Sequence, residues 1–238
     1  MTYHYGRLAP APQRLADLAT YARQPLPAPP QIVEAPRLAY PMDGNDKMGD
    51  CTIAAAQHAD QVWAHLEEFA YEPPAESEVE QTYLSLTGGQ DTGLVEATVL
   101  QTWQTAGLFG RKIAAYAPVA PKHVMTVKQT VALFGLAYPG VLIPAVAQEQ
   151  FADGQPWEIT GGWGDHQIEG GHAIPIVGYN ATGPVFISWG KLQQATWRWW
   201  LVYAEECWAV LGAEIAEAGQ LHGIDLAQLQ ADLAKLAA

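Results

Sequence analysis

Apolar and polar positions alternate at helical spacing from Cys51 onward. The small and apolar run beginning there continues through Val62, Trp63, Leu66 and Phe69, and predicts a helix to about Ala70, where Glu72-Pro73-Pro74 stops it. Asp50 is suited to cap it, and Gly44 to Gly49 read as a glycine-punctuated loop leading in. Ser77 with Glu80 three residues on forms a capping box for a second helix, whose apolar face is Val79, Tyr83, Leu84 and Leu86 and which Gly88-Gly89 ends. A third, Leu94 to Ala106, buries Val95, Val99, Leu100 and Trp103 before a stop at Gly107.

After Gly110 the pattern changes. Strands are predicted over 112–117, 140–146, 172–179, 184–189 and 207–211, with a helix over 121–134. Residues 150–170 read as a loop rich in Gly and Trp, and 194–206 as a helix packed on the sheet through Trp197, Trp199, Trp200 and Tyr203. Leu226, Leu229, Leu233 and Leu236 mark an amphipathic terminal helix. At the other end, Leu15 to Tyr21 suit a short helix, after which Pro25, Pro27, Pro29, Pro30 and Pro36 hold the chain extended, as a strap expected to cross the outside of the fold. The division is a proline-rich arm (1–40), a helical lobe (41–110) and a sheet lobe with a C-terminal helix (111–238), hence class α+β.

Composition narrows the function. A 49% hydrophobic, 16% charged chain of 238 residues is long enough for a substantial core. A net charge of −13 supplies no basic stripe to neutralise phosphates, which argues against nucleic acid and anionic membranes as partners. Residues 129–148 are uncharged, but Pro139, Gly140 and Pro144 break them up, so no membrane span is expected. Two cysteines give no disulfide framework, and residues 1–24 lack an apolar run of export-signal length, so a cytoplasmic location is expected.

Cys51 falls in the first helical turn, where unpaired N–H groups and the helix dipole favour a thiolate. Taken alone it reads more readily as a small core residue. A second block, Gly170-Gly171-His172-Ala173-Ile174-Pro175-Ile176-Val177-Gly178-Tyr179, places a histidine at the start of an apolar strand, and Val185-Phe186-Ile187-Ser188-Trp189-Gly190 follows it. These blocks resemble the papain-like cysteine peptidase superfamily, in which a Cys at the mouth of the central helix pairs with a His on a sheet strand roughly 130 to 150 residues downstream in papain and the cathepsins. Here the separation is 172 − 51 = 121. The stretch Val127 to Phe151 also resembles the family's helix and first long strand.

The resemblance implies a two-lobe fold with its active site in the cleft, and a thiol peptidase or amidase working through a covalent acyl-enzyme. Cys51 is then the nucleophile and His172 the acid–base partner, the two existing as thiolate and imidazolium at neutral pH. The family's oxyanion Gln lies six residues before the Cys; here that position is Asn45, whose amide offers a similar donor and which alternatively is a turn residue beside Gly44. Its His-orienting Asn or Asp aligns with Ile187, which accepts nothing, leaving Ser188 as the nearest polar group and Asp165 or Asn180 as substitutes. Gly49, Asp50, Gly171, Trp163 and Trp189 flank the site as candidate substrate contacts. Asp165, His166, Glu169 and His172 lack the spacing of a zinc site, and neither metal nor other cofactor is expected. The expected partner is a peptide or protein substrate. Ile187 and the flank Gly49-Asp50-Cys51-Thr52 leave two alternatives: a silent scaffold that binds without catalysis, and a transglutaminase-like acyltransferase. The family's N-terminal extensions can be inhibitory propeptides, the alternative to an outside strap for residues 1–40, and the pattern sets neither whether this arm occludes the cleft nor the oligomeric state.

Overall fold

Small side chains let one helix run through the middle of the molecule. Cys51, Ala54, Ala55, Ala56, Ala59, Val62 and Trp63 are all buried on it. In the computed structural model, which describes residues 3–12, 14–162, 166–213, 216 and 224–237, this helix, α1, spans Cys51–Leu66. It stops short of Ala70 because Glu68 turns into the left-handed region (φ 55°) while the Glu67 amide still donates to Trp63 O. Helices α2 (Glu76–Leu86) and α3 (Glu96–Thr105) complete the helical part. The Ser77 capping box does not form: Ala75, two residues ahead of Ser77, holds the cap position of α2.

The remaining chain builds two antiparallel sheets. Strands β1 (Ile113–Pro118), β2 (Tyr138–Pro144), β3 (Ile168–Ala173) and β7 (Ala204–Gly212) run in the order β1-β7-β2-β3, whereas β4 (Ile176–Tyr179), β5 (Pro184–Ser188) and β6 (Lys191–Gln194) form a separate sheet. Helices α4 (Val124–Phe134), α5 (Ala145–Ala152), α6 (Trp197–Tyr203) and α7 (Leu226–Ala237) pack around them. The expected single strand over 172–179 is two strands in different sheets. Pro175 has no N–H for a ladder, so the chain changes sheets there and His172 is left near the end of an edge strand, opposite Val141. The α5 helix replaces the end of the expected strand and the start of the expected loop, since the branched run closes at Pro144, which occupies the helix's cap position. Helix α6 is shorter than 194–206; Thr196 caps it by accepting from the Trp199 amide at 3.1 Å.

Two buried side chains fasten α1 to this second half. Trp63 Nε1 donates to Phe134 O at 2.8 Å, and the Tyr138 hydroxyl on β2 donates to Thr52 O, one residue past the helix start. Tyr138→Phe removes one such bond from a fully buried site and is expected to lower the unfolding free energy by about 1 to 2 kcal/mol, read by urea denaturation.

The proline segment lies against the outside of the sheet lobe: Val33 exchanges two 2.9 Å backbone bonds with Tyr179, and Gln129 donates to Leu26 O and Pro27 O. Residues 3–8 depart from that outside path and enter the groove between the helical and sheet parts. No described helix is long and apolar enough to cross a membrane.

Candidate active site

The groove is walled by the start of α1 and the loop before α3 on one side and by β3 on the other. Cys51 is the first residue of α1 and is 1% exposed. Its Sγ accepts from the Ala173 backbone N–H at 3.4 Å, so the thiol rests against the residue next to His172. His172, also 1% exposed, has its Nε2 3.1 Å from Ser188 Oγ, and its Nδ1 is buried without a hydrogen-bond partner. The Trp189 ring stacks on the imidazole with centroids 4.6 Å apart and planes 18° from parallel. Trp189 holds φ 43°, a left-handed backbone that costs a non-glycine residue about 1 to 2 kcal/mol and that packing against Tyr3, Phe151 and Trp157 sustains.

The N-terminal arm fills the rest of the groove. Arg7 N donates to Gly171 O at 3.1 Å on the sheet side, while Leu94 N donates to Gly6 O at 2.7 Å and Leu8 N to Leu94 O at 2.9 Å on the helical side. The arm thus forms a parallel bridge to Leu94 and bonds to both walls. Its approach is close enough to require glycine. A Cβ on Gly6 would sit 1.5 Å from Gly49 O, and one on Gly171 would sit 2.4 Å from Arg7 O. Tyr5 covers His172 edge-on, with ring centroids 6.1 Å apart.

Occlusion sets the electrostatics. Burial pushes the Cys51 thiol up to about 12, and backbone hydrogen bonds from Ala173 and Gly6 oppose that shift only in part. Burial, then the Arg7 guanidinium and His58, push His172 down to about 3. Burial by the arm therefore opposes the expected thiolate and imidazolium pair, because a charge on either group would be desolvated.

The other candidate residues are distributed as follows. Asn45, buried, donates through Nδ2 to Asp50 Oδ1 at 3.0 Å, so an oxyanion contact would fall to its other N–H. Asp50 occupies the cap position of α1 but its side chain caps nothing; it accepts from Asn45 instead. Burial raises its pKa to about 8, with Asn45 opposing and Asp43 adding. A carboxyl whose folded pKa lies above its unfolded value stabilises fully below about 4 and loses that contribution as pH rises through about 8. Asp50→Asn is accordingly expected to flatten the fall in melting temperature between about pH 5 and about pH 8, measured by thermal scans at both ends. Gly49, Gly171 and Trp189 touch the arm, and Ile187 is a buried residue of β5. Trp163 and Asp165 lie outside the described residues. Asn180 bonds Gln194 and its own turn and does not orient His172. His166 pairs with Tyr203 and Glu169 with Gln148, and among the described residues no group of three or more His, Cys, Asp or Glu is arranged for a metal.

The arrangement has counterparts among known structures. The chain is similar to xylellain, a cysteine protease from Xylella fastidiosa, with a TM-score of 0.67 at 15% identity, over 89% of this chain and 97% of that one. The fold is that of the papain-like cysteine peptidases. A second similar structure holds the cysteine protease and lectin-like domains of Cwp84, a surface layer associated protein of Clostridium difficile, with a TM-score of 0.59 at 10% identity, over 88% of this chain and 56% of that one. No protein-family model matches the sequence, and no curated protein matches it. In this papain-like frame the arm residues Tyr5, Gly6 and Arg7 are the part of the groove that sequence reasoning missed. Nothing in their spacing marks them, because their partners lie more than 40 residues away in the chain.

Proposed function

We propose that the protein is a thiol hydrolase, a peptidase or amidase, held latent by its own N-terminal arm. The observation that carries this reading is the pairing of His172 and Cys51 across the groove: Ser188 engages Nε2 and leaves Nδ1 unbonded, while the N–H of the next residue, Ala173, touches Cys51 Sγ. Ser188 supports the imidazole from the place next to the one where the family has its Asn or Asp. Trp189 shields that hydrogen bond from water and fixes the ring plane.

With the arm displaced, the groove admits water and a substrate chain, and the desolvation that keeps both groups neutral is relieved. The thiol then transfers its proton to Nδ1, and the thiolate attacks the substrate carbonyl carbon. Imidazolium protonates the departing amine, and water attacks the acyl-enzyme with His172 as base, which regenerates the thiol. The backbone N–H of Cys51 and an Asn45 amide N–H are the candidate donors to the oxyanion. The arm itself is spared because it presents the Gly6 amide, rather than a carbonyl carbon, to the sulfur.

The test is incubation of the chain carrying Gly6→Ala with a complex peptide mixture, and identification of new termini by mass spectrometry. Cleavage that vanishes in the additional variant Cys51→Ala supports the hydrolase. Products joined to an added amine, in place of new carboxyl termini, identify an acyltransferase instead.

A further inference from the structure

Arg7 is, among the described residues, the only Lys or Arg that is buried. Its guanidinium reaches past Gly140 on β2, where a Cβ would lie 2.3 Å from Arg7 Cδ and 2.8 Å from Glu96 Oε1. Nη1 donates to Glu206 Oε1 at 2.7 Å, and Nη2 bonds the carboxylate of Glu205, which is one third exposed at the pocket's mouth. Glu96 forms the floor. It is fully buried, and neither of its carboxylate oxygens has a hydrogen-bond partner. Trp208 Nε1 donates to the second oxygen of Glu206 at 3.1 Å and holds that carboxylate toward the guanidinium.

Three carboxylates from two elements therefore converge on one cation, and the pocket opens into the groove one residue from the thiol. Gly6 lies over Cys51, Tyr5 before it packs on His172 and Trp189, and Arg7 after it lies against Gly171 and sends its side chain toward Gly140 on β2. We propose that this pocket is the substrate-selecting site for a basic side chain, arginine above all, on the acyl side of the scissile bond, and that Arg7 occupies it as an internal mimic; the assignment rests on the hydrolase reading given above.

The side follows from the reaction. His172 must reach the departing amine, so the amine half of a substrate lies where Tyr5 does and the acyl half where Arg7 does. The charge follows from desolvation. When the arm leaves, Glu96 and Glu206 remain as neighbouring carboxyls in a low-dielectric wall, where burial and mutual repulsion raise the pKa of Glu96 well above the usual range. A neutral side chain leaves that cost in place, whereas a cation removes it. The fork of donors that spans Glu205 and Glu206 at once fits guanidinium better than a single ammonium.

The test uses the full-length chain with Arg7→Ala, titrated calorimetrically with acetyl-arginine methylamide and with its neutral isostere acetyl-citrulline methylamide. The arginine compound is expected to bind roughly 10 to 100 times more tightly, and adding Glu206→Gln should erase most of that preference. Equal binding of the two, or no binding by a chain whose circular dichroism matches the parent, overturns the inference. Should Arg7→Ala fail to fold, Gly6→Ala carries the same titration with the pocket's carboxylates intact. A peptide series with Arg, citrulline or Leu at each of the two residues before the bond separates the two claims. Selective binding without cleavage rejects the hydrolase and keeps the pocket; cleavage indifferent to the basic residue rejects the pocket and keeps the hydrolase.

Discussion

Replacing Gly6 by alanine is expected to raise the alkylation rate of Cys51 at neutral pH by at least about three orders of magnitude. The reason is steric first. A Cβ there would lie 1.5 Å from Gly49 O and 2.4 Å from Gly49 Cα, and one on Gly49 would in turn lie 2.8 Å from Gly6 Cα and Tyr5 O, so the two backbones are in direct contact. Backbone faces backbone on both sides, so the arm must lift. Lifting it returns the thiol from about 12 toward its ordinary 9.0 or below, and each unit is a ten-fold gain in thiolate at neutral pH. The measurement is the rate of iodoacetamide labelling mapped to individual cysteines. Cys207, buried in β7 away from the groove, serves as the internal control and should stay unreactive. An unchanged Cys51 rate in a folded variant would dispose of the latch.

The arm satisfies the groove's polar groups while it covers Cys51 and His172. Gly171 O, Leu94 N and Leu94 O all find partners on the arm, so the edge of β3 is paired as though by another strand. The same contacts exclude water, and dehydration opposes a charge on Cys51 or His172. On the latent-hydrolase proposal, closure and chemical silence have one cause, and relieving the first relieves the second.

Much of this was legible in the sequence where the signal is local. The α1 helix, its cysteine mouth, the two strand blocks and the α+β class follow from periodicity and from Gly and Pro punctuation, and the family resemblance agrees with the fold of the similar structures. Local signals also erred in particular places. Asp50 reads as a cap, yet its buried carboxyl bonds Asn45 instead, and Pro175 divides what reads as one strand between two sheets. For the arm, the sequence raises both an outside strap and an inhibitory segment and does not decide between them. Whether Tyr5-Gly6-Arg7 lies outside or inside depends on a cavity formed by residues 49, 93, 171 and 206, and no short-range pattern encodes that meeting.

On the Gly6→Ala background, His172→Ala is expected to cost Cys51 roughly 1000-fold in reactivity at about pH 6 and almost nothing at about pH 10. An unlatched thiol paired with imidazolium is substantially ionised well below neutrality. Without the histidine it reverts toward an ordinary pKa of 9.0, three units above the assay. The rate should then climb ten-fold per pH unit until it meets the parent curve, a profile that a merely distorted groove would not produce. Ser188→Ala on the same background should shift the curve in the same direction but less far. It removes the oxygen beside Nε2 while the Trp189 stack continues to hold the ring. A pH profile identical with and without His172 would mean that the thiol gains nothing from the imidazole, and the hydrolase reading would have no base to run on.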